Sequence, residues 1–70
     1  MTYTELTKRL KQLGCEFKRE GKGSHEVWWH PQRRRITTIP HHGNRDIKEG
    51  TLRKVLRDLE IGREEWEQLK

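Results

Sequence analysis

The sequence predicts a two-layer α+β sandwich, in the order α-β-β-β-α with a short terminal helix. Three observations carry this expectation. Apolar residues recur at helical spacing near both ends of the chain. Three short β-prone runs, punctuated by Gly- and Pro-marked turns, lie between them. Seventy residues leave room for one domain, read as 1–70. Two helices can cover one face of a three-stranded antiparallel sheet, and this closes the smallest core these segments can make.

Tyr3, Leu6, Leu10 and Leu13 form the apolar stripe of the first helix. Thr2 and Glu5 have capping-box spacing, so each side chain can satisfy a free backbone N–H. Gly14 supplies the left-handed residue that ends a helix. Lys8, Arg9 and Lys11 lie off the stripe and face water. The first strand is expected at about Cys15 to Glu20, with Phe17 inward. Gly21-Lys22-Gly23-Ser24 is a turn, because glycine tolerates positive φ.

The second strand runs from about His25 to His30 and is closed by Pro31. Alternation places His25, Val27 and Trp29 on one face, and Glu26, Trp28 and His30 on the other. Both faces carry a Trp. One is expected in the core and the other on an exposed or partner-facing surface, and a bulge would mix the two sets. Pro31 to Arg34 turns the chain into a third strand, Arg35 to Ile39, rich in β-branched residues and stopped by Pro40. Residues 41–50 read as a polar loop. Thr51 is expected to cap a second helix whose stripe is Leu52, Val55, Leu56 and Leu59. Ile61 and Gly62 end it. Arg63 to Leu69 reads as a final short helix or turn anchored by Trp66 and Leu69.

Composition bounds the function. Leu, Ile, Val and Phe number 14 of 70 residues, so the core is small. No apolar run approaches the ~18–20 residues of a membrane span, and no hydrophobic signal region opens the chain. A cytoplasmic protein without membrane contact is expected. A single Cys excludes an internal disulfide framework and a Cys-rich zinc site. Net charge is +5 and unevenly distributed. Residues 1–57 carry 14 basic and 6 acidic side chains, whereas residues 58–70 carry 2 and 5. A basic body of this density fits a polyanionic partner, with nucleic acid the leading class.

Little catalytic chemistry is on offer. Gly21-Lys22-Gly23 lacks the third glycine of a dinucleotide loop, and no phosphate-loop pattern exists. The carboxylates are scattered, so no acidic metal pair is expected and no cofactor is implied. Cys15 reads as a small core residue. The four histidines are His25, His30, His41 and His42. Taken singly, His30 and His41 read as surface or base-stacking residues. His25 differs in its setting. It follows Gly23 and Ser24 at the opening of a strand, beside Lys18, Arg19 and Lys22. A neutral imidazole can accept a proton near pH 7. In RNA the 2′-OH beside the scissile phosphate is a built-in nucleophile. One base to deprotonate it, with cations to steady the phosphorane, makes a minimal metal-free ribonuclease. His42 has two readings, a supporting acid or phosphate contact and a structural hydrogen bond after Pro40. Ser24 is a second candidate for a supporting role.

Gly23-Ser24-His25, followed by an aromatic strand ending in His30-Pro31, resembles the HicA-type toxins of type II toxin–antitoxin systems. The resemblance continues through Ile39-Pro40-His41-His42 and Lys48-Glu49-Gly50-Thr51-Leu52-Arg53-Lys54-Val55-Leu56, and the opening helix with Gly14 fits as well. Trp29 and His41 stand where basic residues are common in that family. The resemblance implies a double-stranded-RNA-binding-domain-like fold. It also implies a translation-independent mRNA interferase inhibited by a HicB-type antitoxin, with the essential histidine at His25. The alternative is a non-catalytic basic RNA-binding module of the same fold.

Phosphate contacts are expected from Lys18, Arg19, Lys22, Arg33, Arg34 and Arg35. Arg53, Lys54 and Arg57 on the second helix form the other candidate surface. The antitoxin is expected to be acidic where it touches, to cover His25, and to grip whichever of Trp28 and Trp29 lies outside the core.

Overall fold

The computed structural model describes residues 1–41, 43 and 45–69. Helix α1 spans Tyr3–Gln12 and starts as expected. The Thr2 hydroxyl accepts the Glu5 N–H at 3.2 Å and meets the Glu5 carboxylate at 3.3 Å. Gly14 takes φ +94°. Cys15 N–H then reaches the Leu10 carbonyl at 2.9 Å, and Gly14 N–H that of Lys11 at 3.1 Å. This pair of bonds satisfies carbonyls that the helix end would otherwise orphan.

Strands β1 (Glu16–Glu20), β2 (His25–His30) and β3 (Arg35–Pro40) form an antiparallel sheet in the order β1-β2-β3. Strand β1 begins one residue later than expected, because Cys15 is spent on the helix exit and buried in the core. Phe17 does lie opposite Trp28, with the rings edge-to-face at 6.2 Å. It is nonetheless 45% exposed, because β1 is an edge strand with no neighbour beyond it. The register slips between Phe17 and Arg19, so Lys18 is a bulge residue.

The sheet has one covered and one open face. Glu26, Trp28 and His30 alternate inward with Thr37 and Ile39. His25, Val27 and Trp29 face outward with Ile36, Thr38 and Pro40. Trp28 is 3% exposed and belongs to the core, whereas Trp29 lies half-buried on the open face. His30, expected at the surface, is buried instead, because its inward position brings it under the end of α1. There its Nδ1 accepts the Arg33 N–H at 3.3 Å, and a Cβ on Gly14 would sit 3.4 Å from its Nε2.

Helix α2 spans Glu49–Asp58 and so begins two residues before the expected Thr51 cap. The Leu52 N–H reaches the Lys48 carbonyl at 2.9 Å, closing the first turn without any side-chain cap. Glu49 in that turn meets the positive end of the helix dipole. The helix ends at Glu60, not at Gly62. Glu60 takes φ +56°, and Ile61 N–H returns to the Leu56 carbonyl at 2.9 Å. Gly62 is freed to open helix α3, Arg63–Glu67. Leu6 and Leu10 of α1, Val55 and Leu59 of α2, and Trp66 of α3 close over Trp28 and Ile39. The result is an α+β, double-stranded-RNA-binding-domain-like layer of helices on one sheet face, while the other face carries no helix among the described residues, although Val27 at its centre is only 3% exposed.

Candidate active site

His25 is the first residue of β2 and stands on the open face. The turn before it is tight. Gly21 N–H bonds the His25 carbonyl at 2.9 Å, and His25 N–H bonds that of Lys22 at 3.1 Å. A Cβ on Gly21 would press to 3.1 Å from the His25 carbonyl oxygen, and Gly23 takes φ +60°, so both positions favour glycine. The His25 ring lies with Nδ1 3.2 Å from the Lys22 carbonyl. A carbonyl can only accept, so Nδ1 carries the hydrogen there. In the neutral ring this leaves the lone pair on Nε2, which has no hydrogen-bond partner among the described residues, and the residue is exposed.

Cations and aromatics share this face. The bulge swings Lys18 outward until its ammonium stands 3.9 Å from the centre of the Trp29 ring. Lys22 is exposed in the turn, and Arg19 bonds only the Glu20 carbonyl, at 3.3 Å. Pro40 lies directly across from His25. Beyond Pro40 opens a cleft of about 330 Å³ lined by Pro40, Gly43, Arg45, Asp46, Ile47, Lys48 and Thr51. It brings Arg45 and Lys48 to the same cleft as Pro40.

A second cluster sits at the same end of the sheet, on its covered side. Glu26 points inward and is only 12% exposed. Its Oε1 accepts the Tyr3 hydroxyl and, at 3.0 Å, the Trp28 indole N–H. Its Oε2 lies 3.0 Å from Nδ1 of His41. Burial alone would push the Glu26 carboxyl up. The hydrogen bonds from Tyr3, Trp28 and His41 outweigh it and hold the group below the usual range. The Tyr3 hydroxyl is correspondingly pushed up to about 12 by burial and by the neighbouring carboxylate.

The whole arrangement lies within a stretch that a family model recognises. The model for "HicA toxin of bacterial toxin-antitoxin" matches residues 3–61 of the 70. The chain belongs to the HicA toxin family. Neither the curated proteins nor the solved structures yield a match. As a HicA toxin it is one half of a toxin–antitoxin system and has an antitoxin as its partner. None of the described helices is long and apolar enough to cross a membrane.

The other cations expected at phosphates in this HicA-family chain fall into two groups. Arg33 grips Glu65 with both guanidinium nitrogens, at 3.1 and 2.6 Å, and the Glu60 carbonyl at 2.8 Å. Arg35 pairs with Glu60, Arg53 with Glu49 at 3.3 Å, and Lys54 with Asp58 at 2.9 Å. These four already meet carboxylates. Arg34 and Arg57 instead line an open cleft with Arg35, Ile36 and Asp58. That cleft lies at the far end of β2 from His25, about 17 Å along the strand at ~3.4 Å per residue. Ser24 is exposed, and its carbonyl accepts the His41 N–H at 2.7 Å. His42 lies outside the described residues. Cys15 is free and buried, its thiol pushed up to about 11 by burial.

Sequence reasoning passed over Glu26, Tyr3, Arg45 and Lys48. Glu26 had a visible signal, an acid one residue after the candidate base and on the same strand face as Trp28. Arg45 and Lys48 had none beyond their charge, because only the fold of the 41–48 loop carries them to Pro40.

Proposed function

We propose that this toxin is a metal-independent endoribonuclease that cleaves mRNA with His25 as the general base and thereby stops translation. The observation that carries the reading is the His25 ring itself, with Nδ1 held by the Lys22 carbonyl and Nε2 without a partner among the described residues, on an open, cation-bearing face. Nε2 takes the proton of a ribose 2′-OH. The 2′-oxygen attacks the adjacent phosphorus, the bond to O5′ breaks, and the products are a 2′,3′-cyclic phosphate and a 5′-hydroxyl. The nucleophile belongs to the substrate, so no metal-bound hydroxide is needed. Lys22, whose carbonyl holds the His25 ring, lies in the same turn and would offset the charge that grows on the phosphorane.

Outside the reacting phosphate, the RNA strand is read as running along the open face. Lys18, Arg19, Lys22, Arg34 and Arg57 supply phosphate contacts, and Trp29 supplies a surface for base stacking. Arg33, Arg35, Arg53 and Lys54 contribute less, because each already meets a carboxylate. The antitoxin is read as HicB-type. It would present acidic groups to this face and cover His25, with Trp29 and the exposed Ile36 as its apolar anchors.

Labelled RNA incubated with the purified toxin in EDTA tests the reading. Cleavage should leave 2′,3′-cyclic ends, and a 2′-deoxy substitution at the cut site should block it. His25→Ala should abolish both cleavage and growth arrest while circular dichroism stays native. Toxicity undiminished in that variant, or cleavage of DNA, would refute the reading. Binding without cleavage by the wild type would leave the non-catalytic RNA-binding module, which the Trp29–Lys18 pair also fits.

A further inference from the structure

Cleavage through a 2′-OH requires two proton transfers. One proton leaves the 2′-oxygen, and one must reach the departing O5′. His25 accounts only for the first. We infer that His41, held by Glu26 and Tyr3, is the acid that protonates O5′, an inference that rests on the ribonuclease reading of His25.

Three elements fix the His41 ring. Glu26 of β2 holds Nδ1 at 3.0 Å. Tyr3 of α1 lies flat against the ring, with centroids 3.8 Å apart and planes 7° from parallel. The backbone of His41 is tied to Ser24, in the turn that positions His25. An ionised carboxylate can only accept hydrogen bonds, so Nδ1 carries a hydrogen, and Nε2 has no partner among the described residues. The side chain is 39% exposed. Glu26 in turn is held by the Tyr3 hydroxyl and the Trp28 indole. A half-buried acid that gathers three donors at the rim of a small core serves to orient something. Of its three partners, His41 is the imidazole.

Position supports the chemistry. Pro40 is the cross-strand partner of His25, and His41 is the next residue. The two histidines therefore flank the same end of the sheet, His25 on its open side and His41 at the rim of its covered side. The 2.7 Å bond from the His41 N–H to the Ser24 carbonyl ties their backbones together there, and the two-histidine step requires a phosphate that spans this edge. In the step, His25 Nε2 accepts the 2′-OH proton as the O2′–P bond forms. The P–O5′ bond breaks, and the Nε2–H of the His41 imidazolium passes its proton to O5′. His25 ends protonated and His41 neutral. Glu26 and Tyr3 are positioning residues, holding the ring plane and the Nδ1 hydrogen.

A paired-substrate assay isolates this role. One RNA carries the ordinary O5′ leaving group and the other a bridging 5′-sulfur, which departs without protonation. His41→Ala should slow cleavage of the first by ~10²–10⁴, the usual worth of a positioned acid. On the sulfur substrate it should run within a few-fold of wild type. His41→Asn, which keeps a side-chain N–H but cannot act as an acid, should behave the same way and covers the case in which the alanine variant fails to fold. Glu26→Gln and Tyr3→Phe should show smaller losses on the first substrate and the same rescue on the second. His25→Ala should be rescued by neither. Equal losses of the His41 variants on both substrates, or no loss, would overturn the inference and leave the ribonuclease reading intact. A wild type that cuts neither substrate would remove both.

Discussion

Truncating the two tandem tryptophans separates core from surface. Trp28 is 3% exposed, packs under α1 and donates its indole N–H to Glu26. Removing such a ring costs about 3–5 kcal/mol in cavity and lost transfer energy. The orphaned bond to a charged carboxylate adds about 1.5–3 kcal/mol. A 70-residue domain has only about 3.5–10 kcal/mol to lose, so Trp28→Ala should be largely unfolded at 25 °C. Trp29 lies half-buried on the open face and holds the Lys18 ammonium over its ring. That contact is worth about 0.5–1 kcal/mol at an exposed site. With the modest burial added, Trp29→Ala should cost about 1–2 kcal/mol, or ~4–8 °C of melting temperature per kcal/mol for a domain of this size.

Urea titration followed by circular dichroism measures both variants, with antitoxin affinity determined in parallel for whichever remain folded. Trp29→Ala should retain a cooperative transition with an unchanged m-value and lose about 2 kcal/mol or more of antitoxin binding, roughly 30-fold. A Trp29→Ala as destabilised as Trp28→Ala would refute the face assignment. A stable Trp29→Ala with full antitoxin affinity would move the grip to the basic rim.

Three further outcomes follow from the geometry. Arg34 takes φ +56° between β2 and β3, where a non-glycine residue is strained by about 1–2 kcal/mol, so Arg34→Gly should raise the urea midpoint, and a lowered midpoint would contradict it. Burial opposes ionisation of Glu26 and hydrogen bonds outweigh it, while for Glu65 the Arg33 pair leads, so both carboxyls sit below their unfolded-state values. Their stabilisation is therefore complete above about pH 4.3 and disappears as pH falls through the lower folded values. Stability measured from pH 6 to pH 2 should drop in the wild type and less steeply in a Glu26→Gln, Glu65→Gln double variant. Reversing Lys18 and Lys22 to Glu should flatten the salt slope of RNA binding by at least ~1.4 in log–log terms, at ~0.7 per phosphate contact on single strands, and an unchanged slope would move the strand to the Arg34–Arg57 cleft.

The elements were legible because their signals are local. The Thr2 cap and the Gly14 exit act within a few residues of themselves, and the structure places both where spacing put them, whereas β3 runs one residue past its expected end and includes Pro40, which pairs with His25. The misses have non-local causes. Phe17 looked like a core residue because its strand reads as apolar at that position, but strand order leaves it on an edge. Glu60 ends α2 in a conformation that favours glycine, and Gly62 two residues on misdirects any reading that trusts residue type. The carbonyl of Glu60 meets Arg33, and its carboxylate meets Arg35, so tertiary partners hold the strained residue in place.

The same distinction runs through the site. His25 was visible because a Gly-Ser turn and nearby cations surround it in the chain itself. The Glu26 cluster was not, because it joins residues 3, 26, 28 and 41, which only the completed sandwich brings together. The basic run Arg33 to Arg35 shows the opposite error. In sequence it is the densest cation cluster, yet Arg33 and Arg35 lie against Glu65 and Glu60. The acidic tail that made the chain look bipolar thus folds back on the basic turn and neutralises it. The cations left toward His25 are Lys22 in its turn and Arg19 opposite Val27, while Lys18 is drawn over Trp29 and Arg34 stays exposed at the far end, so the pull on a polyanion is spread along the open face.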